Sequence, residues 1–141
     1  MKKYKIGYTN GVFDLLHVGH LQFLKKAKSY CDYLIVAVCE DQLAYTHKGK
    51  FPIIPVEERI MLLEAVKYID KVAIQTTTDR ILEWSNYHFD VIFHGMDGKK
   101  WDIEHGYFEK LKNLGVESVY FERQTNISTS QIIDKILKEY K

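Results

Sequence analysis

The chain is poor in cysteine, in long apolar runs and in surplus charge of either sign. Only two cysteines occur among 141 residues, Cys31 and Cys39. With no CxxC spacing and no framework for bridges, they read as two small buried thiols in a reducing, cytoplasmic setting. The longest apolar run, residues 33–38, is far shorter than the ~20 residues that cross a bilayer, and no signal-like apolar stretch follows the charged N-terminus. Lys and Arg number 20 against 19 Asp and Glu, a net charge of +1. That balance excludes a nucleic-acid or membrane-surface protein held by bulk charge, so any anion binding must come from local clusters. No linker, repeat or low-complexity tract divides the chain, and its length suits one domain, residues 1–141.

What the chain does have is alternation. Hydrophobic periodicity predicts strands near residues 5–9, 33–38, 71–75, 90–94 and 118–121, and helices near 18–29, 56–68, 79–87, 104–114 and 128–139. Strands separated by helices imply an α/β fold with a doubly wound, five-stranded parallel sheet of Rossmann-like type, because parallel neighbours need crossover connections. Ligands of such sheets sit beyond the carboxyl ends of the strands. The chemically loaded segments all fall at that edge.

The first of them is Gly11-Val12-Phe13-Asp14-Leu15-Leu16-His17-Val18-Gly19-His20. A strand that turns through glycine into a helix presents free amides to phosphate. His17 and His20, three residues apart, can reach one object above the helix start, and Gly19 leaves room for close approach. On the residues alone, a capping His17 and a core His20 remain open as well. The second segment, Thr46-His47-Lys48-Gly49-Lys50-Phe51-Pro52, reads as part of a basic loop of about ten residues, long enough to fold over a phosphate as a flap. Pro55, Glu57 and Glu58 mark the next helix start. No GxxxxGK[ST] loop is present. Third, Arg123 precedes Ser128-Thr129-Ser130, where Ser128 and Gln131 form a capping box and the hydroxyls sit beside free helix amides. His94 and His105 lack the ligand partners of a zinc site, so no protein metal site is expected, and Trp84 and Trp101 read as packing residues.

Those segments, with Glu58-Arg59, Lys67-Tyr68-Ile69-Asp70 and Ile127-Ser128-Thr129-Ser130, resemble the HxGH cytidylyltransferases, most closely the bacterial glycerol-3-phosphate enzymes, over nearly the whole chain. The resemblance implies a nucleotidylyltransferase fold and transfer of CMP from CTP to a small phosphorylated alcohol, for cell-surface polymer synthesis. It implies catalytic roles for His17, His20, Lys48 and Arg123. Nucleotide contacts would come from Val12, Phe13, Asp14, Gly19, Lys50, Asp97, Ser128 and Thr129, and acceptor contacts from Lys48, Arg59 and Lys67, with Arg59 either facing the acceptor phosphate or orienting the flap. Mg²⁺ is expected to arrive with CTP. A homodimer is expected from the resemblance and from apolar residues on two sides of the helix that starts near Val56. Gln124 and Asn126 stand where the family has threonine and glycine, and Lys67 where it has arginine. Thr9-Asn10-Gly11 also resembles heptose-phosphate adenylyltransferases, so an adenylyltransferase acting on a sugar phosphate stays open, as does a nucleotide-binding module without turnover.

Overall fold

In the computed structural model, which describes residues 3–123 and 126–140, the five apolar segments become β1 (Tyr4–Gly11), β2 (Cys31–Cys39), β3 (Lys71–Gln75), β4 (Val91–Gly95) and β5 (Glu117–Phe121). They form one sheet, ordered β3-β2-β1-β4-β5 and parallel throughout. From Tyr33 on, β2 is an unbroken apolar run because both of its faces are covered there, and Leu34 through Cys39 are all buried. One layer packs Leu24, Val36, Val38, Leu63 and Phe93. The other packs Tyr8, Ile35, Ala37, Phe89 and Leu111. Cys31 and Cys39 are both buried, as the sequence suggested.

The helices are α1 (Val18–Ser29), α2 (Asp41–Lys48), α3 (Val56–Glu64), α4 (Arg80–Tyr87), α5 (Met96–His105), α6 (Tyr107–Asn113) and α7 (Thr129–Glu139). Three departures from the periodicity have local causes. The basic segment is half helix: α2 carries the chain to Lys48 and stops where Gly49 takes φ 78°, leaving only residues 49–55 as loop. α3 ends at Glu64 because Ala65 and Val66 bond back to Leu62 and Leu63 in a tight turn. The apolar pattern continues to residue 69 because Val66, Tyr68 and Ile69 pack on the core from a loop. The single helix expected at 104–114 is two, since α5 begins directly after β4 and breaks at Gly106, φ 72°.

Of the two roles expected of Arg59, facing the acceptor phosphate or orienting the flap, its contacts suit the second. The side chain is fully buried. Its Nε donates to the Ile54 carbonyl at 2.8 Å, and Nη1 donates to the Val12 and Cys39 carbonyls at 2.7 and 2.8 Å. Nη2 pairs with Asp41. This guanidinium ties the ends of β1 and β2 to the loop before α3, and every arm is engaged, so none is left for a ligand. Removing it strands three carbonyls and a carboxylate. Arg59→Met should cost about 3 kcal/mol, read as a lower urea midpoint with unchanged slope.

Candidate active site

The site grows from the centre of the sheet, where the strand order reverses between β1 and β4. These strands pair at Gly7↔Val91 and Tyr8↔Ile92, and further along side chains bridge them. Thr9 Oγ1 donates to the Phe93 carbonyl at 2.7 Å, and His94 Nε2 meets Asn10 Oδ1 at 2.9 Å. The turn after β1 is strained, with Phe13 at φ 54° and Leu15 at φ 51°, conformations costing about 1–3 kcal/mol each outside glycine. Asp14 holds it. Its carboxylate accepts from the Ile53 and Ile54 amides at 2.8 and 3.0 Å, and its carbonyl accepts from Thr129 Oγ1 at 2.9 Å. One aspartate thus joins the β1 turn, the basic loop and the start of α7.

His17 caps α1, accepting the Gly19 amide at Nδ1 over 3.0 Å, while His20 Nδ1 accepts the His17 amide at 3.2 Å. A backbone amide only donates, so each neutral ring must carry its proton on Nε2. The ring centroids are 3.9 Å apart. Burial, then the charge of Arg123, lowers the His17 pKa. Burial and His17, opposed by Asp14, bring His20 down to about 4. The pair at neutral pH is therefore two uncharged N–H donors side by side. Gly19 is required because a Cβ there would lie 2.8 Å from the His17 ring and 3.2 Å from the Ile127 carbonyl. The close approach is made by the protein's own cap and by the segment before α7.

Two adjoining cavities meet at His20, and His17 borders the larger of them. The larger, about 760 Å³, is lined by His17, His20, Phe13, Gly19, Asp97, Arg123, Ser128 and Thr129. The smaller, about 380 Å³, is lined by Val12, Phe13, Asp14, His20, Lys48, Lys50 and Thr129. Phe13, His20 and Thr129 border both. Ser128 caps α7, its Oγ accepting from the Gln131 amide at 3.1 Å. Lys67 is not in this assembly: it sits in the α3–β3 connection, which enters β3 from its amino end, and its Nζ lies 5.5 Å from the Tyr68 ring. It is at the wrong edge of the sheet to touch an acceptor in the same chain. Gln124 lies outside the described residues.

Sequence reasoning missed what lies beneath. Glu83 is buried and accepts from Tyr8 Oη (2.8 Å), Asn10 Nδ2 (2.6 Å) and Arg80 Nη1 (3.3 Å). Arg80 Nε donates to Asp102 at 3.2 Å, and Tyr120 Oη donates to Asp102 at 2.6 Å. Burial pushes the Glu83 carboxyl up, against the pull of Arg80, Tyr8 and Asn10. Since all three partners are donors, it is held as the carboxylate. Asn10 gives its amide nitrogen to Glu83, so its oxygen faces His94, whose Nε2 donates. Burial and Arg80 push the His94 pKa well down. A histidine closing an apolar strand was the only available signal, and it also serves as a packing partner: a Cβ on Gly98 would come within 2.5 Å of the His94 Cβ.

With this geometry in hand, similarity to known proteins is informative. The cytidylyltransferase-like family model matches residues 8–135. The FAD synthase of Pyrococcus abyssi is 40% identical over 134 residues, covering 91% of this chain and 89% of that protein. The ethanolamine-phosphate cytidylyltransferase of Dictyostelium discoideum is 41% identical over 98 residues, 66% of this chain and 26% of that protein. A lipopolysaccharide core biosynthesis protein from Thermoplasma volcanium superimposes with a TM-score of 0.72 at 29% identity, over 88% of this chain and 99% of that one. The pantoate-beta-alanine ligase of Francisella tularensis, 15% identical with a TM-score of 0.61 over 98% of this chain and 72% of that one, shares the fold.

The histidine arrangement predicts a pH response. Between the ordinary value of 6.5 and the folded value of about 4 for His20, the unfolded chain binds a proton that the folded chain refuses. The stability contributed by neutral His20 is therefore complete above about pH 6.5 and is lost as pH falls towards 4. Long-range ¹H–¹⁵N spectra should show His20 as the uncharged Nε2–H form at pH 5.5. A charged ring at pH 6 would contradict the assignment.

Proposed function

The chain belongs to the cytidylyltransferase-like family, and from that premise we propose that this nucleotidyltransferase moves CMP from CTP to a small phosphorylated alcohol such as glycerol 3-phosphate, releasing pyrophosphate and supplying cell-surface polymer synthesis. The observation that carries the reading is the imidazole pair, with His17 on the larger cavity and His20 bordering both. In-line attack brings one phosphate against the α-phosphorus of another, so two anions must be held on opposite sides of one point. The larger cavity suits the nucleotide, with Arg123 and the α7 amides near its phosphates and Asp97 at its wall. The smaller, with Lys48 and Lys50, suits the acceptor.

In this reading the Nε2–H groups of His17 and His20 donate to the oxygens that gain charge as the α-phosphorus becomes five-coordinate. Their low pKa values keep both donors uncharged, so neither needs to shed a proton. No side-chain nucleophile is required, since the acceptor phosphate is itself the attacking group. Val12, Phe13 and Gly19 shape the backbone of the turn, and Thr129 fixes α7 to Asp14. Mg²⁺ would travel with the triphosphate and neutralise the leaving pyrophosphate. The fit is loose: among the described residues no group of three His, Cys, Asp or Glu is arranged to hold a metal, and Asp97 and Glu122 are the carboxylates that line the nucleotide cavity. Met61 and Leu62 lie exposed on α3, and a homodimer through them belongs to the same proposal.

A second reading has a specific observation behind it. The FAD synthase relative at 40% identity favours transfer of a nucleotidyl group to a flavin phosphate, and adenylyl transfer to a sugar phosphate belongs beside it. Pyrophosphate release should be measured with CTP and ATP, each against glycerol 3-phosphate, phosphoethanolamine, phosphocholine, a heptose phosphate and FMN. The proposal predicts turnover with CTP and glycerol 3-phosphate above the other pairs. FMN as the preferred acceptor would replace it, and nucleotide binding without release would mark a module without turnover. His17→Ala and His20→Ala should each lower kcat by about 10²-fold or more with folding retained. Lys48→Ala should act chiefly on the acceptor KM.

A further inference from the structure

Beneath the catalytic turn lies a buried carboxylate to which nucleotidyl transfer gives no direct part. Glu83 lines neither cavity, so it touches no substrate there. Resting on the transfer reading above, though not on which acceptor is used, we propose that Glu83 is a positioning residue. It sets the amide orientation of Asn10 and, through it, the tautomer of His94, and so fixes the gap between β1 and β4 across which the two substrates meet.

The ladder between these strands pairs Gly7 with Val91 and Tyr8 with Ile92. Beyond it Asn10 Oδ1 and His94 Nε2 make the connection over 2.9 Å, and the residues that follow, Gly11 and Gly95, border both cavities. The Asn10–His94 bridge is thus the floor of the cleft. Taken alone, it is ambiguous. An amide turned over would present Nδ2 in place of Oδ1, and a histidine protonated on Nδ1 would accept from it equally well. His94 Nδ1 is buried and has no hydrogen-bond partner among the described residues, so nothing behind the ring selects the tautomer. The selection comes from Glu83. As a carboxylate it only accepts, and Asn10 must turn Nδ2 towards it, at 2.6 Å. Proton order then runs one way, from His94 Nε2–H to Asn10 Oδ1 and from Asn10 Nδ2–H to Glu83.

Tyr8 Oη and Arg80 Nη1 donate to the same carboxylate at 2.8 and 3.3 Å. Arg80 is shared with Asp102, so two buried carboxylates face one guanidinium. Well-packed neutral side chains would be less costly there. What the charge adds is direction, since a neutral amide in its place could donate or accept. In-line transfer needs both anions closely placed around one phosphorus, so a shift of the cleft floor acts on the rate at saturation more than on the affinity for either substrate.

The test follows pyrophosphate release with whichever nucleotide and acceptor pair the wild-type chain uses fastest, beside the ¹⁵N spectrum of His94. In the wild type His94 should be the uncharged Nε2–H form, and an Nδ1–H form would overturn the inference before any variant is made. Glu83→Gln keeps the shape, but its oxygen should turn to Arg80 and its nitrogen to Asn10, which reverses the bridge. His94 should become Nδ1–H, and kcat should fall about tenfold or more with each KM within about threefold of wild type. Adding Asn10→Asp to Glu83→Gln supplies a carboxylate that accepts from both neighbours. The double variant should return His94 to Nε2–H and recover most of the lost kcat, read at saturation because the new charge borders the acceptor cavity. Tyr8→Phe removes one bond to Glu83 without reversing any, so it should lower the melting temperature and leave kcat and the tautomer as in the wild type. An unaltered tautomer in Glu83→Gln, a loss confined to KM, or kcat losses that follow melting temperature across the variants would overturn the inference. If Glu83→Gln does not fold, the double variant decides: folded with near-normal kcat supports the inference, and unfolded or inactive overturns it. No release by the wild type with any pair would instead overturn the transfer reading, and the inference with it.

Discussion

Two backbone amides donating into two imidazole Nδ1 atoms set the terms for the rest of this molecule. The Gly19 and His17 N–H groups are among those that helix α1 leaves unsatisfied at its start, and the histidines satisfy them. The same bonds dictate the tautomer, so capping and donor function are one arrangement rather than competing ones. A serine cap would serve α1 as well but would leave nothing pointing outward. Burial then prevents either ring from charging near neutral pH, which would otherwise replace a fixed pair of neutral donors with two adjacent cations.

That arrangement needs a turn no ordinary sequence would adopt unaided. Phe13 and Leu15 sit in left-handed conformations, and the strain is offset by bonds from distant parts of the chain. Arg59 holds the Val12 carbonyl from α3, Thr129 holds the Asp14 carbonyl from α7, and Asp14 holds the loop that carries Lys50. The logic is physical: residues that resemble ligand-binding groups in one dimension can be the fasteners that keep the ligand-binding groups in place. Below them, the Glu83–Arg80–Asp102 cluster orients Asn10 and His94, so the cavity floor is as firmly built as its rim.

Much of the fold was legible because parallel strands buried on both faces read as short apolar runs, and β2 with its neighbours did so plainly. The cap at Ser128 and the histidine pair were legible for the same reason, since each is a local pattern. α2 was not, because Tyr45-Thr46-His47-Lys48 lacks an apolar stripe and its end is marked by Gly49, which reads equally as loop. The acceptor contacts expected of Arg59 and Lys67 went astray because a charged side chain gives no sequence signal of burial or of the sheet edge on which it falls; one is enclosed by carbonyls and orients the flap loop instead, and the other lies before β3 rather than after it. The Arg80, Glu83 and Asp102 cluster joins residues on α4 and α5 that only tertiary packing brings together.

The central claim is that both imidazole Nε2–H groups face a single phosphorus between two cavities. A crystal structure with a CTP analogue whose α–β bridge cannot be cleaved tests it directly. The account predicts the α-phosphate oxygens within hydrogen-bond distance of His17 and His20 Nε2, the base in the larger cavity, and the opposite face of the phosphorus open towards Lys48. A triphosphate bound with its α-phosphate away from both rings, or with that face closed, would contradict it.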